Sequence, residues 1–334
     1  MYWYIKYPLI VILVLSVLGI GGMLWRSCVK SLPPAVPTAE ELRQQEAGGS
    51  VAVTAPASSA VASKTQAAVR RPAAQTTSVV QSEIPELEAR LESSRKQFDS
   101  GKLEVSRTLA QRVLSDERVV EFDRYWYRAA EMIDAVNRKV MNSTAPISEK
   151  ERYVVRYGDT LGKLANRFHI SVLSMMRING LTSDRIHPRQ TVMYLKGTWS
   201  IRVSKTQYLL MLYLDQKLYR IYNVGIGKDN RTPAGTFYIT ALQKDPAWQP
   251  SGKNIPFGDK DNILGTRWMK LTPAEGTDTS LEGYGIHGTT VPDTIGTSSS
   301  NGCVRLRNPE VEELFDFIPE AGGSIPPVKV VIEE

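Results

Sequence analysis

A stretch of 52 residues, 31–82, contains no aromatic side chain, and 36 of its residues are Ala, Ser, Thr, Val or Pro. A segment of this composition cannot bury enough apolar surface to offset the conformational entropy that folding removes. We therefore predict a disordered linker at 31–82. It separates an apolar N-terminus from residues 83–334, which have an ordinary globular composition, so the chain is expected to be modular.

The first 30 residues contain an uncharged apolar run. Residues 8–25 carry no charged side chain, and at about 1.5 Å per residue a helix of this length just crosses a bilayer. Lys6 precedes the run and Arg26 and Lys30 follow it, so the flanking charges do not define an orientation. A cleaved signal peptide is the alternative, but no small-residue cleavage site follows, and Cys28 lacks a lipobox. Residues 1–30 are predicted to be an N-terminal membrane anchor formed by one transmembrane helix.

Helical periodicity begins at residue 83. Ser100 and Gly101 separate two of three successive apolar stripes, which together predict three helices at 83–150. The stripes are Ile84, Leu87, Leu91 and Phe98; Leu103, Leu109, Ala110 and Val113; and Tyr125, Trp126, Ala129, Ile133 and Val136. The stretch resembles a tetratricopeptide-type helical hairpin, and a small helical spacer is the alternative.

Residues 151–197 have a more specific pattern of a strand, two short helices and a strand. The first strand ends in a turn at Gly158 and Asp159, Asp159 or Thr160 caps the first helix, and Asn179 with Gly180 ends the second. The segment resembles a lysin motif (LysM) domain, carrying its Tyr-Val-Val, Gly-Asp-Thr-Leu, Asn-Gly-Leu and late Gln-x-Val-x-x-Leu elements. The resemblance implies a βααβ fold that binds N-acetylglucosamine-containing glycans, with contacts from Gly158, Asp159, Thr160 and Asn179. A LysM domain kept only for structure is the alternative.

From residue 198 onward the apolar period shifts to two, which predicts a mainly-β domain at 198–334. The runs 208–214 and 218–224 are expected to form a hairpin with its turn at 215–217, and 236–240 and 328–332 are predicted as further strands. A domain of this length can bury its own core.

A thiol and an imidazole lie 16 residues apart in this domain, at His287 and Cys303. An imidazole can take the proton of a thiol and return it later to an amine, which is the minimum needed for nucleophilic acyl chemistry. The spacing allows two neighbouring strand ends joined by a loop, and Gly302 would let the Cys303 amide and its neighbours point at an oxyanion. A buried apolar Cys and a satisfied core His are the alternative.

The order His before Cys fits neither papain-like peptidases nor caspases. The arrangement instead resembles the catalytic domain of L,D-transpeptidases, which have His-Gly followed after a loop by Ser-x-Gly-Cys-hydrophobic-Arg. The matching residues are His287, Gly288 and Thr289, and Ser300, Asn301, Gly302, Cys303, Val304 and Arg305, with further similarity at 232–237 and 262–268. Many members have His where Asn301 stands, and Asn cannot titrate near neutral pH.

The resemblance implies a peptidoglycan enzyme with a thioacyl intermediate and no cofactor or metal. Cys303 would be the nucleophile, His287 the base and then the acid, and Gly302 part of the oxyanion site. Ser300 would support the loop, while Gly288, Thr289 and Asn301 would line the substrate cleft. Arg305 would orient a substrate carboxylate, or alternatively form an ion pair beneath the sheet.

The partners implied are glycan strands, stem peptides and, through the N-terminal helix, the membrane. The 41 basic and 35 acidic residues are too balanced for a nucleic-acid-binding protein. The predicted fold is multidomain: an N-terminal transmembrane helix, a small all-α segment, a βααβ LysM domain and a mainly-β L,D-transpeptidase domain. The domains should lie outside the cytoplasmic membrane, where the polymer is found. An L,D-carboxypeptidase and a non-catalytic membrane-to-wall anchor are the alternative functions.

Overall fold

The computed structural model describes residues 83–334. The predicted membrane helix at 8–25 and the predicted linker at 31–82 lie outside the described residues. Within 83–334, every helix is too short or too polar to cross a bilayer.

Three helices precede the first strand, as predicted. They are α1 (Pro85–Asp99), α2 (Leu103–Leu114) and α3 (Arg124–Met141). Gly101, with φ of +75°, allows the sharp turn between α1 and α2. The Asp123 carboxylate begins α3 by accepting a hydrogen bond from the Trp126 N–H at 2.7 Å. The three apolar stripes meet in a core that includes Leu87, Ala110 and Ile133.

The next unit has the predicted βααβ fold. Its elements are β1 (Lys150–Val154), α4 (Leu161–Phe168), α5 (Val172–Ile178) and β2 (Thr191–Leu195), and β1 pairs antiparallel with β2. Thr160 caps α4 by accepting from the Lys163 N–H at 3.2 Å, and Ser171 caps α5. The two helices cover one face of the strand pair and form a small core with it.

The remaining residues build a mainly-β domain around an eight-stranded sheet. Its strands are β3 (Trp199–Ser204), β4 (Leu209–Leu214), β5 (Lys217–Asn223), β7 (Gly235–Lys244), β8 (Arg267–Pro273), β9 (Gly285–His287), β11 (Val304–Arg305) and β12 (Val328–Glu333). They lie in the order β11-β9-β8-β7-β12-β3-β4-β5. The pairs β9–β11 and β3–β12 are parallel. A separate parallel pair joins β6 (Ile226–Gly227) to β10 (Ser298–Ser300), and helix α6 (Asn308–Phe317) contributes buried apolar residues to the core.

The predicted strands are confirmed, including the hairpin of β4 and β5. Asp215 and Gln216 form its turn with φ of 47° and 64°. Both central residues therefore have the left-handed backbone conformation, as in the hairpin turns whose twist matches that of the flanking strands. Strand β7 is longer than predicted because its second half, which extends to Lys244, continues to pair with β8.

The units share packing that the sequence did not predict. Ile178, Met193 and Leu195 of the βααβ unit and Val136 and Val140 of α3 belong to the same hydrophobic cluster as the large sheet. The units therefore bury apolar surface against one another.

A buried ion network crosses the same junction. Arg220 of β5 is fully buried and bonds to Asp134 of α3 at 2.5 Å and to Glu313 of α6 at 2.8 Å. Arg177 of α5 donates to Asp316 of α6 at 3.1 Å. Each of the three units therefore contributes a charged side chain to this junction.

Candidate active site

The candidate site lies at the sheet edge formed by β8, β9 and β11. His287, the last residue of β9, pairs with Arg305 across the parallel β11 and with Trp268 across the antiparallel β8. Side chains alternate between the two faces of a strand, so these three residues share one face. The intervening residues Met269, Ile286 and Val304 point into the core on the other face. His287 ends β9 and Cys303 directly precedes the neighbouring β11; because the two strands are parallel, the register places Cys303 beside Gly285, two residues before His287.

The Cys303 thiol lies over the start of β9. Cys303 directly precedes β11 and is half-buried, and its S–H donates to the Gly283 carbonyl at 3.7 Å. Burial raises the pKa of the thiol to about 11, against the opposing effects of the Gly285 backbone and the Arg305 cation. The resting cysteine is therefore protonated at neutral pH and needs a base to become a nucleophile.

The His287 imidazole, on the neighbouring strand, is the candidate for that base. It is 3% exposed, its Nδ1 lies 2.6 Å from the Gly288 carbonyl, and its ring stacks on Trp268 with centroids 5.4 Å apart. Burial, followed by the nearby Arg305 cation, lowers the pKa of His287 to about 4. The ring is thus neutral at pH 7, and hydrogen bonds with the backbone of Gly288 and Leu264 oppose the lowering of its pKa.

Ser300 organises the turn that carries Cys303. Its Oγ donates to the Cys303 carbonyl at 2.7 Å and accepts from the Gly302 N–H at 3.2 Å. Gly302 has φ of +136°, and a Cβ there would lie 2.7 Å from the Tyr284 ring. Within the described residues, the Asn301 side-chain oxygen is buried without a hydrogen-bond partner.

Arg305, Gly288 and Thr289 line the same edge. The buried Arg305 guanidinium donates to Ser299 Oγ, and its backbone exchanges two hydrogen bonds with Gly225. A Cβ at Gly288 would lie 2.2 Å from Asn308 Oδ1, and the same oxygen accepts from the Thr289 N–H at 3.2 Å.

Sequence reasoning missed three residues at this edge: Trp268, Tyr284 and Asn308. Trp268 packs on His287, Tyr284 covers Gly302, and Asn308 joins the loop after β9 to the loop before β8. Their roles depend on pairing between distant strands. Trp268 belongs to the motif segment 262–268, which could have suggested it, whereas Tyr284 and Asn308 had no signal beyond their closeness to the His287 and Cys303 motifs.

The predicted glycan-binding residues divide into two groups. Gly158, with φ of +84°, lies in an open loop whose base is held by Asp159, which accepts from the Arg156 N–H and the Tyr153 hydroxyl. Tyr157, which was not predicted, lies beside it and is 97% exposed. The backbone N–H of Arg156 lowers the pKa of Asp159.

Asn179 belongs to the second group. Its amide donates to the carbonyls of Met175 and Met193 and accepts from the Met193 N–H. Both of its N–H groups are therefore used in joining α5 to β2.

Comparison with known proteins places these units in families. The YkuD model, which describes an L,D-transpeptidase catalytic domain, matches residues 198–332, and the LysM domain model matches residues 153–192. YqjB of Bacillus subtilis, named as an L,D-transpeptidase, is 41% identical over 126 residues, covering 37% of this chain and 69% of its own length. YkuD of Bacillus subtilis, named likewise, is 32% identical over 175 residues, covering 50% of this chain and 93% of its own.

A solved structure of the catalytic domain of the E. faecium L,D-transpeptidase aligns at 20% identity with a TM-score of 0.30, covering 41% of this chain and 98% of that one. The two family models follow one another in the order of domains expected from the motifs. The chain is an enzyme of the L,D-transpeptidase family that carries a LysM domain before its catalytic domain.

Proposed function

We propose that the protein is a peptidoglycan L,D-transpeptidase that acts through a thioacyl intermediate on Cys303. The observation that supports this most is the occurrence of a protonated thiol and a neutral imidazole on neighbouring parallel strands, in the sequence context of the family. Because the Cys303 thiol and the His287 imidazole are both neutral at rest, the thiol would transfer its proton only as the sulfur attacks the substrate.

In the first half-reaction, Cys303 Sγ attacks the carbonyl carbon of the third stem residue and its proton passes to His287. A C–S bond forms, and the carbonyl electron pair moves to oxygen. Collapse of this intermediate breaks the C–N bond to the terminal D-alanine, whose amine leaves with the proton from His287. An amine of a second stem then attacks the thioester carbonyl and gives its proton to His287. A C–N bond forms, the C–S bond breaks, and the proton passes from His287 to the Cys303 sulfur.

We assign the oxyanion donor to the Cys303 N–H rather than to that of Gly302. The Gly302 N–H already donates to Ser300 Oγ, whereas within residues 83–334 no acceptor pairs with the Cys303 N–H. Arg305 contributes its charge close to both reacting side chains. Its contact with a substrate carboxylate is part of the proposal, and a purely structural role is the alternative.

We also propose that the LysM loop at Tyr157, Gly158, Asp159 and Thr160 binds glycan strands, since it presents an exposed aromatic ring beside backbone groups. The apolar segment at 8–25 would anchor the chain in the membrane, and the linker would carry the folded units to the wall outside it. A reporter fused after Glu334 that is active only in the cytoplasm would contradict this placement.

Mass spectrometry tests the chemistry. The full-length protein, purified in mild detergent, is exposed to a stem tetrapeptide or to a carbapenem, and its mass is measured. We expect an adduct on the unaltered protein and on Cys28→Ala, none on Cys303→Ala, and a much slower one on His287→Ala. Absence of any adduct on the folded, unaltered protein would favour a non-catalytic anchor.

The soluble products separate the two enzymatic outcomes. With a stem tetrapeptide as both donor and acceptor, a transpeptidase yields a cross-linked dimer and D-alanine. Release of a tripeptide alone would identify an L,D-carboxypeptidase, because water has replaced the amine.

A further inference from the structure

The hydroxyl of Thr232 connects the strand β6 to the turn that carries the nucleophile. Thr232 is 1% exposed, and its Oγ1 accepts from the Gly227 N–H at 2.7 Å while donating to the Gly302 carbonyl at 2.8 Å. The backbones of Gly227 and Gly302 touch here, since a Cβ at Gly227 would lie 2.8 Å from Gly302 Cα. The hydroxyl therefore fits between two backbone segments that are in van der Waals contact.

The Gly302 carbonyl and the Cys303 N–H belong to the same peptide unit. Within the described residues every peptide bond is trans, so these two groups point in opposite directions. A bond that holds the carbonyl on one side of the unit therefore also sets the direction of the N–H on the other side. Ser300 holds the next peptide unit in the same way, through the Cys303 carbonyl.

We propose that Thr232 is a positioning residue for acylation: by holding the Gly302 carbonyl, it aims the Cys303 N–H at the oxyanion. This inference rests on the proposed thioacyl function. A donor whose direction is set before reaction stabilises the developing charge without reorganisation, whereas a mobile donor does so less well. Thr232 itself does not contact substrate in this scheme.

The test compares two reactions of the same thiol. Acylation by a carbapenem opens the β-lactam through an intermediate with a negative carbonyl oxygen. Alkylation by iodoacetamide forms an S–C bond as iodide leaves and develops no such charge. Both rates are measured by mass in the full-length protein with Cys28→Ala, for the otherwise unaltered chain, Thr232→Val and Thr232→Ser.

Thr232→Val keeps the shape of the side chain and removes the hydroxyl, whereas Thr232→Ser keeps the hydroxyl. We expect Thr232→Val to acylate about tenfold or more slowly while its alkylation stays within about twofold, and Thr232→Ser to recover most of the acylation rate. Ser94→Ala is the matched control, because it removes a buried hydroxyl bond of 2.7 Å to the Ser106 carbonyl in the helical segment. It should change neither rate.

Two results would overturn the inference. Unchanged acylation by Thr232→Val would mean that the hydroxyl does not position the donor. A parallel loss of acylation and alkylation would mean that Thr232 supports only the fold of the turn. Failure of the unaltered protein to acylate would instead overturn the proposed function, so the two failures can be told apart.

Discussion

Arg305 lies opposite His287 in the parallel pair of β9 and β11, two residues after Cys303. This register places one buried cation near both Cys303 and His287, where it favours the thiolate and the neutral imidazole. Burial is nevertheless the larger effect at each group. It lowers the pKa of His287 in the same direction as the cation and raises the pKa of Cys303 against it. At rest, the proton shared by the two groups is therefore on the Cys303 sulfur and not on the His287 imidazole.

The first prediction concerns the pH dependence of the thiol. Because burial raises the pKa of Cys303 to about 11, its thiolate fraction should still be rising well above neutral pH. In the Cys28→Ala protein, the rate of alkylation by iodoacetamide should increase by close to tenfold per pH unit between about pH 7 and 10, as expected for a thiol below its pKa. A plateau reached below about pH 8 would indicate a thiolate–imidazolium pair instead.

The second prediction concerns the packing behind His287. A Cβ at Gly285 would lie 2.7 Å from the Trp268 ring, which stacks on the imidazole. We expect Gly285→Ala to displace Trp268 and slow carbapenem acylation by at least about tenfold, which corresponds to about 1.4 kcal/mol in the barrier. Gly162→Ala is the control, since a Cβ there meets open space on helix α4 and alanine favours helix. Equal acylation rates for the two variants would show that the ring contact is dispensable.

The third prediction separates glycan binding from chemistry. Tyr157 is almost fully exposed, so Tyr157→Ala should leave the stability of the fold unchanged. We expect it to lower the fraction of protein that pellets with insoluble peptidoglycan, while carbapenem acylation stays as in the unaltered protein. Val120→Ala, at a side chain that is 66% exposed on the helical segment, should have no effect on pelleting.

Point substitution suits this test better than deletion of the LysM domain. Ile178, Met193 and Leu195 pack in the same core as the catalytic sheet, so their removal would expose apolar surface of the enzyme. Unchanged pelleting of Tyr157→Ala would argue against glycan contact at this loop.

The fourth prediction concerns the buried ion network. Glu313→Gln leaves Arg220, which is fully buried, with Asp134 as its remaining acidic partner. Removing one member of a buried pair is costly, so we expect the free energy of unfolding to fall by about 3 kcal/mol. Chemical denaturation of the full-length protein measures it. Arg95→Gln, in an exposed pair with Asp99, should produce no measurable change. Equal stabilities of the two variants would mean that the network contributes little.

Much of the fold could be predicted because its signals are local. Helical periodicity and the Ser100–Gly101 break predicted α1 and α2, and the residues Asp215 and Gln216 between two apolar runs predicted the hairpin of β4 and β5. The pair of His287 and Cys303 was equally visible, since its flanking residues form a recognisable motif. Each of these depends on residues within about one turn or one loop of each other along the chain.

The tertiary structure decided what depends on distant residues. Trp268 reaches His287 because β8 pairs with β9, and Thr232 reaches Gly302 across 70 positions. Neither pairing has a local signal, since strand order is set by how whole faces bury one another. The protonation states of Cys303 and His287 depend mainly on their burial, which the sequence does not show. The LysM domain packs on the catalytic sheet through apolar residues, and the LysM motif does not distinguish these residues from those of the domain's own core.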